Sequence, residues 1–511
     1  MIDVTPFMRM YARRRLGILA AQNPAATQER ELLHLLKRAE KTRFGRDHSF
    51  SRLRSVHDFQ KAVPLRRYED FWQDYISPRF PVIDDELWPG KTPYFALSSG
   101  TTKGVTKHLP VTPDMARSNR QGGLDLLAHH LNARPKSRVL GGLSFLFGGS
   151  TDVVELAPGV HEGDLSGIAV RELPWWIKPW TFPPPELALI ADWEEKIERL
   201  IPLALGRDVR MISGVPSWLL LAFDRLAALL GKKRFRLVDA WPHMEMVVHG
   251  GVSFEPYEGR FRELFEGSRA ETREVYPASE GFVAVADRGH GQGLRMLLDH
   301  GIFFEFVPVE EIDADEPRRF WIADAEPSVN YAIVLSTCAG LWSYVLGDTV
   351  RLVERNPPRL VVTGRTSYML SAFGEHLIGE EIEEAVARAA AAMDARLDDF
   401  CVAAQYPSRD GEPGRHHYVV EFAGTAPDEE GLARFAALVD ERLIKANADY
   451  AAHRAKDLQL AGPRVSAAPV GFFAAWMKSR GRLGGQNKVP RVMRDQTLFG
   501  GLLEFLANFP R

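Results

Sequence analysis

Cysteine is nearly absent: Cys338 and Cys401 are the two in 511 residues. Two thiols build no disulfide framework, and there is no Cys-x-x-Cys to bind zinc or exchange electrons. A reducing compartment is the simplest setting, and the expectation is cytoplasmic. No apolar run reaches the length of a membrane span. The "LGILAA" after the first arginines is too short for a signal-peptide core. No membrane partner is expected. Neither charge is in excess: 64 Lys and Arg face 67 Asp and Glu, a formal net charge of −3. The basic residues are spread along the chain, which argues against nucleic acid as a partner. "YARRRLG" near the start reads as a solvated helix face. Gly-x-Ser-x-Gly and His-Glu-x-x-His are both missing, so the common hydrolase and metalloprotease signatures are excluded. His453 and Asp457 in "HRAKD" match an acyltransferase-like spacing that chance supplies. The pairs His129-His130 and His416-His417 aim neighbouring side chains apart and suit packing better than metal binding.

What is present is a chain long enough for two or more domains. "RELLHLLKRAEKTRF" has helical apolar spacing. "PYFAL" is strand-like, and a helix follows from Pro113 with Thr112 as its cap. "PWWIKPWTFPPPE" reads as an irregular packed segment whose tryptophans are buried. "SGVPSWLLLAFDRLAALLGKK" is a buried helix stopped near Gly231. From about residue 235, "RLVDAW", "REVYPASE", "FVAVAD", "IFFEFVPV", "YAIVLST" and "VRLVE" read as strands of a mixed sheet, barrel-like towards its end. The helix "GEEIEEAVARAAAAM", the strands "FCVAAQY" and "HHYVVEF", and another helix then make a small α+β unit. The fold class is α/β: a large N-terminal domain over 1–370 and a small α+β domain over 371–511, with a hinge-like composition near 370.

Four segments carry chemistry. In "LSSGTTKGVTK", Ser98, Ser99, Gly100, Thr101 and Thr102 offer hydroxyls and backbone N–H groups to an anion. Val105 stands where the common nucleotide loop needs its second glycine, so this is another phosphate loop or a plain turn. In "VYPASEG", Ser279 and Glu280 fall between two strands. A carboxylate there suits Mg²⁺, which takes one or two carboxylates plus phosphate oxygens. Tyr276 offers a ring to a base. In "YVLGDTVRL", Gly347 turns the chain and Asp348 can accept both hydroxyls of a ribose. In "GRTSYMLSAFGEHLIGEEIEE", Arg365 is placed to reach phosphate or ribose. Each segment alone also reads as an ordinary turn.

Taken together, the Ser/Thr/Gly loop, the aromatic-x-x-Ser-Glu, the Tyr-x-x-Gly-Asp, the Gly-Arg and the later Gly-x-x-Leu-x-x-x-Glu-Ile-Glu resemble the adenylate-forming superfamily. That group includes acyl-CoA synthetases, luciferases and peptide-synthetase adenylation domains. More narrowly, "SSGTTKGVTK", "YPASE", "YVLGD" and "QNKVPR" are similar to the auxin-responsive Gretchen Hagen family of acyl acid amido synthetases, in its bacterial branch. The resemblance runs over nearly the whole chain. It implies a ligase that adenylates a small carboxylic acid with ATP and Mg²⁺, then transfers the acyl group to an amine such as an amino acid. Ser98, Ser99, Gly100, Thr101 and Thr102 would hold phosphates. Tyr276, Ala278 and Ser279 would line the adenine and α-phosphate side. Glu280 would hold Mg²⁺, and Asp348 would bind the ribose with Arg365 beside it. Lys488 matches the family's C-terminal lysine and would bridge the carboxylate and α-phosphate from a mobile domain.

Three departures stand out. Val345 replaces a frequent arginine, Asn487 a frequent tyrosine, and Lys103 a small residue. Two other readings stay open: an acyl-CoA ligase, and a non-catalytic adenylate-binding protein. Retention of Glu280, Asp348 and Lys488 together argues for catalysis. "LSFLFGGS" and "SGVPSWLLLAF" are candidate walls for the acid, which the residues leave unspecified, as they do the amine.

Overall fold

The computed structural model describes residues 2–99, 106–148, 153–184, 187, 190, 193–251, 254–366, 370, 377, 379–406, 414–447, 450–451, 454, 460–482 and 488–510. The chain divides into two compact units. Met1–Gly251 and Phe265–Val362 form the first; Val252–Leu264 and Thr363–Arg511 form the second. Among the described residues, no helix is long and apolar enough to cross a membrane.

The first unit holds two sheets. The smaller contains β1 (Tyr94–Ser99), β2 (Thr106–Val111), β4 (Val153–Ala157) and β5 (Val160–Gly163), in the order β2-β1-β5-β4. The larger has twelve strands. They are β3 (Leu143–Leu146), β6 (Thr181–Phe182), β7 (Val209–Ser213), β8 (Met246–Gly250), β9 (Glu271–Ala278), β10 (Gly281–Val285), β11 (Leu294–Met296), β12 (Ile302–Pro308), β13 (Phe320–Trp321), β14 (Asn330–Thr337), β15 (Tyr344–Arg355) and β16 (Pro358–Arg365). Their order is β13-β12-β14-β15-β16-β11-β10-β9-β8-β7-β3-β6. The pairs from β6 to β9 are parallel. Beyond β9 the pairing turns antiparallel. The barrel-like stretch expected from the sequence is therefore the antiparallel half of one mixed sheet. Its central strands read as near-continuous apolar runs because both of their faces are covered: β12 is buried at all seven positions and β14 at seven of eight,.

Two local expectations fail. "RLVDAW" is a short helix, Leu237–Ala240, and not a strand. The Asp239 carboxylate accepts from the Arg236 N–H at 2.9 Å, and this local bond overrides the β-branched composition,. Trp175 and Trp176 are 81% and 54% exposed. They are the central residues of a turn closed by the Ile177 N–H on the Pro174 carbonyl, and a second turn, Trp180 N–H on the Ile177 carbonyl, follows directly. The "YARRRLG" helix, α1 (Thr5–Ala20), exposes Arg13 and Arg14 as expected. Arg15 instead turns inward and binds Asp125 and Asp299, each at 2.8 Å. Asp125 lies in the helix α2 (Pro113–Ala133), which Thr112 caps through the Met115 N–H,.

Three sheet strands and helices make the second unit: β17 (Leu397–Gln405), β18 (Arg415–Phe422) and β19 (Arg464–Ala468), with α3 (Gly379–Ala392) and α4 (Glu429–Ala446). Arg491 is a buried anchor of this unit. It pairs with Asp399, reaches Glu383 at 3.3 Å and lies 4.5 Å from the Phe400 ring,. The excursion Val252–Leu264 joins this unit through Arg260–Asp398 at 2.6 Å and Arg396–Glu263 at 2.5 Å. The sequence boundary near 370 does not include this excursion, because a 13-residue loan of chain leaves no compositional mark,.

One buried ion pair fixes the start of β15. Glu305 on β12 is fully buried and binds Arg319 at 2.8 Å. Arg319 also donates to the Gln60 and Val63 carbonyls and to the Ser343 hydroxyl. Arg319→Met should cost about 3–5 kcal/mol, because it strands a buried carboxylate. Urea unfolding of the full chain measures this; a loss below ~1 kcal/mol would class the pair with surface bridges.

Asp125 gives an acid signature. Burial pushes its carboxyl up, but hydrogen bonds from His300 and Arg15 and their charges prevail and hold it at about 2. The folded value lies below the ordinary 3.8. Its stabilisation is therefore complete above that ordinary value and is lost as pH falls through about 2,. Asp125→Asn should flatten that part of the acid-unfolding profile. An unchanged slope would assign the acid limb to other carboxylates.

Candidate nucleotide site

The β9–β10 hairpin closes with a two-residue turn, Ser279-Glu280, between the paired Ala278 and Gly281. A β-carbon on Gly281 would stand 2.7 Å from Ile302 Cδ1, so glycine is what lets this turn press against β12,. The turn carries Glu280 inward, where the residue is 7% exposed. Burial pushes its carboxyl up. The Lys107 charge, its own backbone N–H and the Tyr344 hydroxyl pull it back, and the Asp348 charge pushes it up again, leaving it above the ordinary carboxylate range,. Ser279 and Ala278 are half-buried beside it.

Tyr344 opens β15 and donates from its hydroxyl to Glu280 Oε1 at 3.0 Å. Its backbone is held by the neighbouring Arg66: the Arg66 N–H binds the Ser343 carbonyl, and the Val345 N–H binds the Arg66 carbonyl. Further along, β15 bulges. Val345 pairs with Val334 and Thr349 with Ala332, so Leu346, Gly347 and Asp348 together face Ile333,. Gly347 has φ +90°, a conformation that side chains disfavour,. The bulge presents Asp348, and the Tyr276 hydroxyl donates to its Oδ2 at 2.7 Å. Tyr276 itself is 7% exposed, so its phenol orients the carboxylate.

The β1–β2 ladder supplies the third side. Ser98 pairs with Lys107, and directly opposed residues share a face,. Lys107 Nζ lies 3.5 Å from the Tyr344 hydroxyl and 5.4 Å from the centre of the Tyr68 ring. Tyr68 is fixed in turn, its hydroxyl accepting from the His108 N–H at 2.8 Å. Lys107, Tyr344 and Glu280 thus converge, with Ser98 opposite Lys107 in the ladder and Asp348 close enough to Glu280 for the two carboxylates to sense each other. Gly100, Thr101, Thr102 and Lys103 lie outside the described residues, as do the Ser99 side chain and Asn487. Arg365 ends β16, half-buried, within the second unit. Lys488 is exposed in that unit, outside regular structure.

Val345 is accounted for. It faces away from Tyr344, as strand alternation requires, and packs with Val307 and Val334. The histidine pairs are structural: His130 binds Glu271 at 3.0 Å, His417 binds Ser466 at 2.9 Å, and His416 stacks on Tyr450. Among the described residues, no group of three or more His, Cys, Asp or Glu could hold a metal ion. A single buried carboxylate fits a hard cation whose remaining ligands are phosphate oxygens and water. Tyr344, Lys107 and Tyr68 were missed as site residues in the sequence. A hairpin register between "YFALSS" and "TKHLPV" was the signal that finds Lys107.

Three models of one family match successive stretches of the chain: the GH3 family N-terminal domain over residues 18–224, the central domain over 295–365 and the C-terminal domain over 380–497. Indole-3-acetic acid-amido synthetase GH3.3 of Arabidopsis thaliana is 23% identical over 275 residues, 50% of this chain. That match spans 45% of the relative, so the chain aligns with about half of its length. Indole-3-acetic acid-amido synthetase GH3.4 of the same plant is 23% identical over 556 residues, with 92% of this chain and 90% of the relative covered. The fold is like that of the GH3.15 acyl acid amido synthetase, with a TM-score of 0.78 at 19% identity, over 96% of this chain and 94% of that one. With the three domains matched in order and a shared fold over nearly the whole length, the chain belongs to the GH3 family.

Proposed function

We propose that the protein is an ATP-dependent acyl acid amido synthetase, which joins a small carboxylic acid to an amine such as an amino acid through an acyl-adenylate. The observation that carries this reading is the convergence of Lys107, Tyr344 and Glu280, with Ser98 opposite Lys107 in the ladder, beside the Tyr276–Asp348 pair. A buried carboxylate, a bulge-presented carboxylate and a hydroxyl-lined strand end are what a magnesium–nucleotide needs. The family's relatives are synthetases of this type by name.

In the first half-reaction the acid's carboxylate oxygen attacks the α-phosphorus of ATP, and pyrophosphate leaves. In the second, an amine nitrogen attacks the acyl carbon and AMP leaves. Neither step needs a covalent enzyme intermediate, so the protein contributes positioning and charge. Asp348 accepts the ribose hydroxyls, with Tyr276 holding its orientation. Ser98, Ser99, Gly100, Thr101 and Thr102 hold phosphates. Tyr276, Ala278 and Ser279 line the adenine and α-phosphate side, and Arg365 adds charge near the ribose. Glu280 would hold Mg²⁺, which when bound neutralises phosphate charge. Lys488 stabilises the negative charge that grows between carboxylate and α-phosphate. This role requires the C-terminal domain, 371–511, to move on the segment near 370 with respect to the N-terminal ATP- and acyl-binding domain, 1–370. Cys338 and Cys401 are buried free thiols, in keeping with a cytoplasmic setting,.

ATP–pyrophosphate exchange with Mg²⁺, run over a panel of carboxylic acids without amine, tests the first half-reaction. Exchange with one class of acid is expected, followed by AMP release when amino acids are added. Release with coenzyme A and not with amines would overturn the amide reading. Protein that binds ATP yet exchanges with no acid, amines present or absent, would overturn catalysis. Lys488→Ala should lower exchange by on the order of a hundredfold or more, with ATP affinity nearly unchanged. Equal losses of exchange and affinity would remove the catalytic role.

A further inference from the structure

Glu280 is buried, and a buried carboxylate needs positive charge or several donors near it. Lys107 is the cation whose charge acts on Glu280. Its ammonium stands 3.5 Å from the Tyr344 hydroxyl, which stands 3.0 Å from Glu280 Oε1. The phenol has one proton, and it points to Glu280. Its oxygen is left to accept from the ammonium, so the three groups form one directed chain. The other side of Lys107 faces the Tyr68 ring at 5.4 Å, an attraction that keeps the stem in place,. Asp348 adds a second negative charge nearby. At Glu280 the Lys107 ammonium and the Asp348 carboxylate thus act in opposite directions.

A divalent cation at Glu280 would have to share that carboxylate with this ammonium. The two cations repel, and both are attracted to the same carboxylate. Lysine suits a charge that must give way: its head is a point charge on a flexible four-carbon stem, unlike the planar fork of arginine. Lys107 lies two residues beyond the 100–105 segment and opposite Ser98, next to where phosphates are proposed to sit. We propose that Lys107 is a positioning residue, the built-in counter-cation of Glu280, which holds that carboxylate through Tyr344 and yields it to the divalent cation as the nucleotide binds. The inference rests on the reading of Glu280 as the metal's carboxylate. It makes metal-free protein selective for the metal–nucleotide complex over free metal.

Mn²⁺ serves as the probe, its binding to the full-length protein without nucleotide read from the electron paramagnetic resonance signal of the free ion. Lys107→Met should bind Mn²⁺ about three- to tenfold more tightly than the natural chain, since a competing charge is gone. Lys107→Arg, which keeps the charge, should stay near the natural value. Tyr344→Phe should shift affinity in the same direction as Lys107→Met by about twofold, through loss of the hydroxyl link. That variant keeps both charges and decides the matter if Lys107→Met does not fold. Glu280→Gln should lose the binding. Should Glu280→Gln lose Mn²⁺ while Lys107→Met and Tyr344→Phe bind it no more tightly than the natural chain, the counter-cation role is overturned and the metal reading stands. Unchanged Mn²⁺ binding by Glu280→Gln would overturn the metal reading itself, and the inference with it.

Discussion

The site depends on keeping one carboxylate, Glu280, charged and aimed inside the protein. Burial alone would drive it towards its neutral form,. Three surrounding elements oppose that tendency: the hairpin turn that supplies a backbone N–H, the Tyr344 hydroxyl from β15 and the Lys107 ammonium from β2. None of these belongs to the same local stretch of chain. The site therefore exists only once both sheets of the first unit are in place.

The scaffold shows how that placement is made. Glu305 and Arg319 fix the residue just before Tyr344, since Arg319 and Glu305 both bind the Ser343 hydroxyl. Ser343 has φ +45°, a strained setting for a side chain that its network over-determines,. The bulge at Gly347 then changes the direction of Asp348 without ending β15. Rigid strands carry the side chains, and a strand end and a bulge present Glu280 and Asp348,. In the second unit the same logic appears in Arg491, which gathers Asp399, Glu383 and Tyr257 from segments far apart in sequence.

Much of this was legible in the residues. The helix after Thr112, the hairpin around Ser279-Glu280 and the small α+β unit follow from capping and periodicity, which are local properties. Glu280 could be named because it stands at a turn between apolar runs; Asp348 could be named from the glycine before it, although that expected turn is a bulge within β15. The failures are also physical. "RLVDAW" has strand composition, but one Asp239 hydrogen bond makes it a helix. Trp175 and Trp176 have core composition but sit on a turn-bounded surface loop.

The sequence by itself determined the two-part organisation, the strand and helix succession and the identity of the carboxylates, because each is written in neighbouring residues. Only the tertiary structure decided what those carboxylates touch. Tyr276 lies 72 positions from Asp348, and Tyr344 lies 64 from Glu280. Lys107 lies 237 from Tyr344. Such partners are chosen by strand register and by one bulge, and register is settled by the burial of whole faces, which no short stretch of sequence contains.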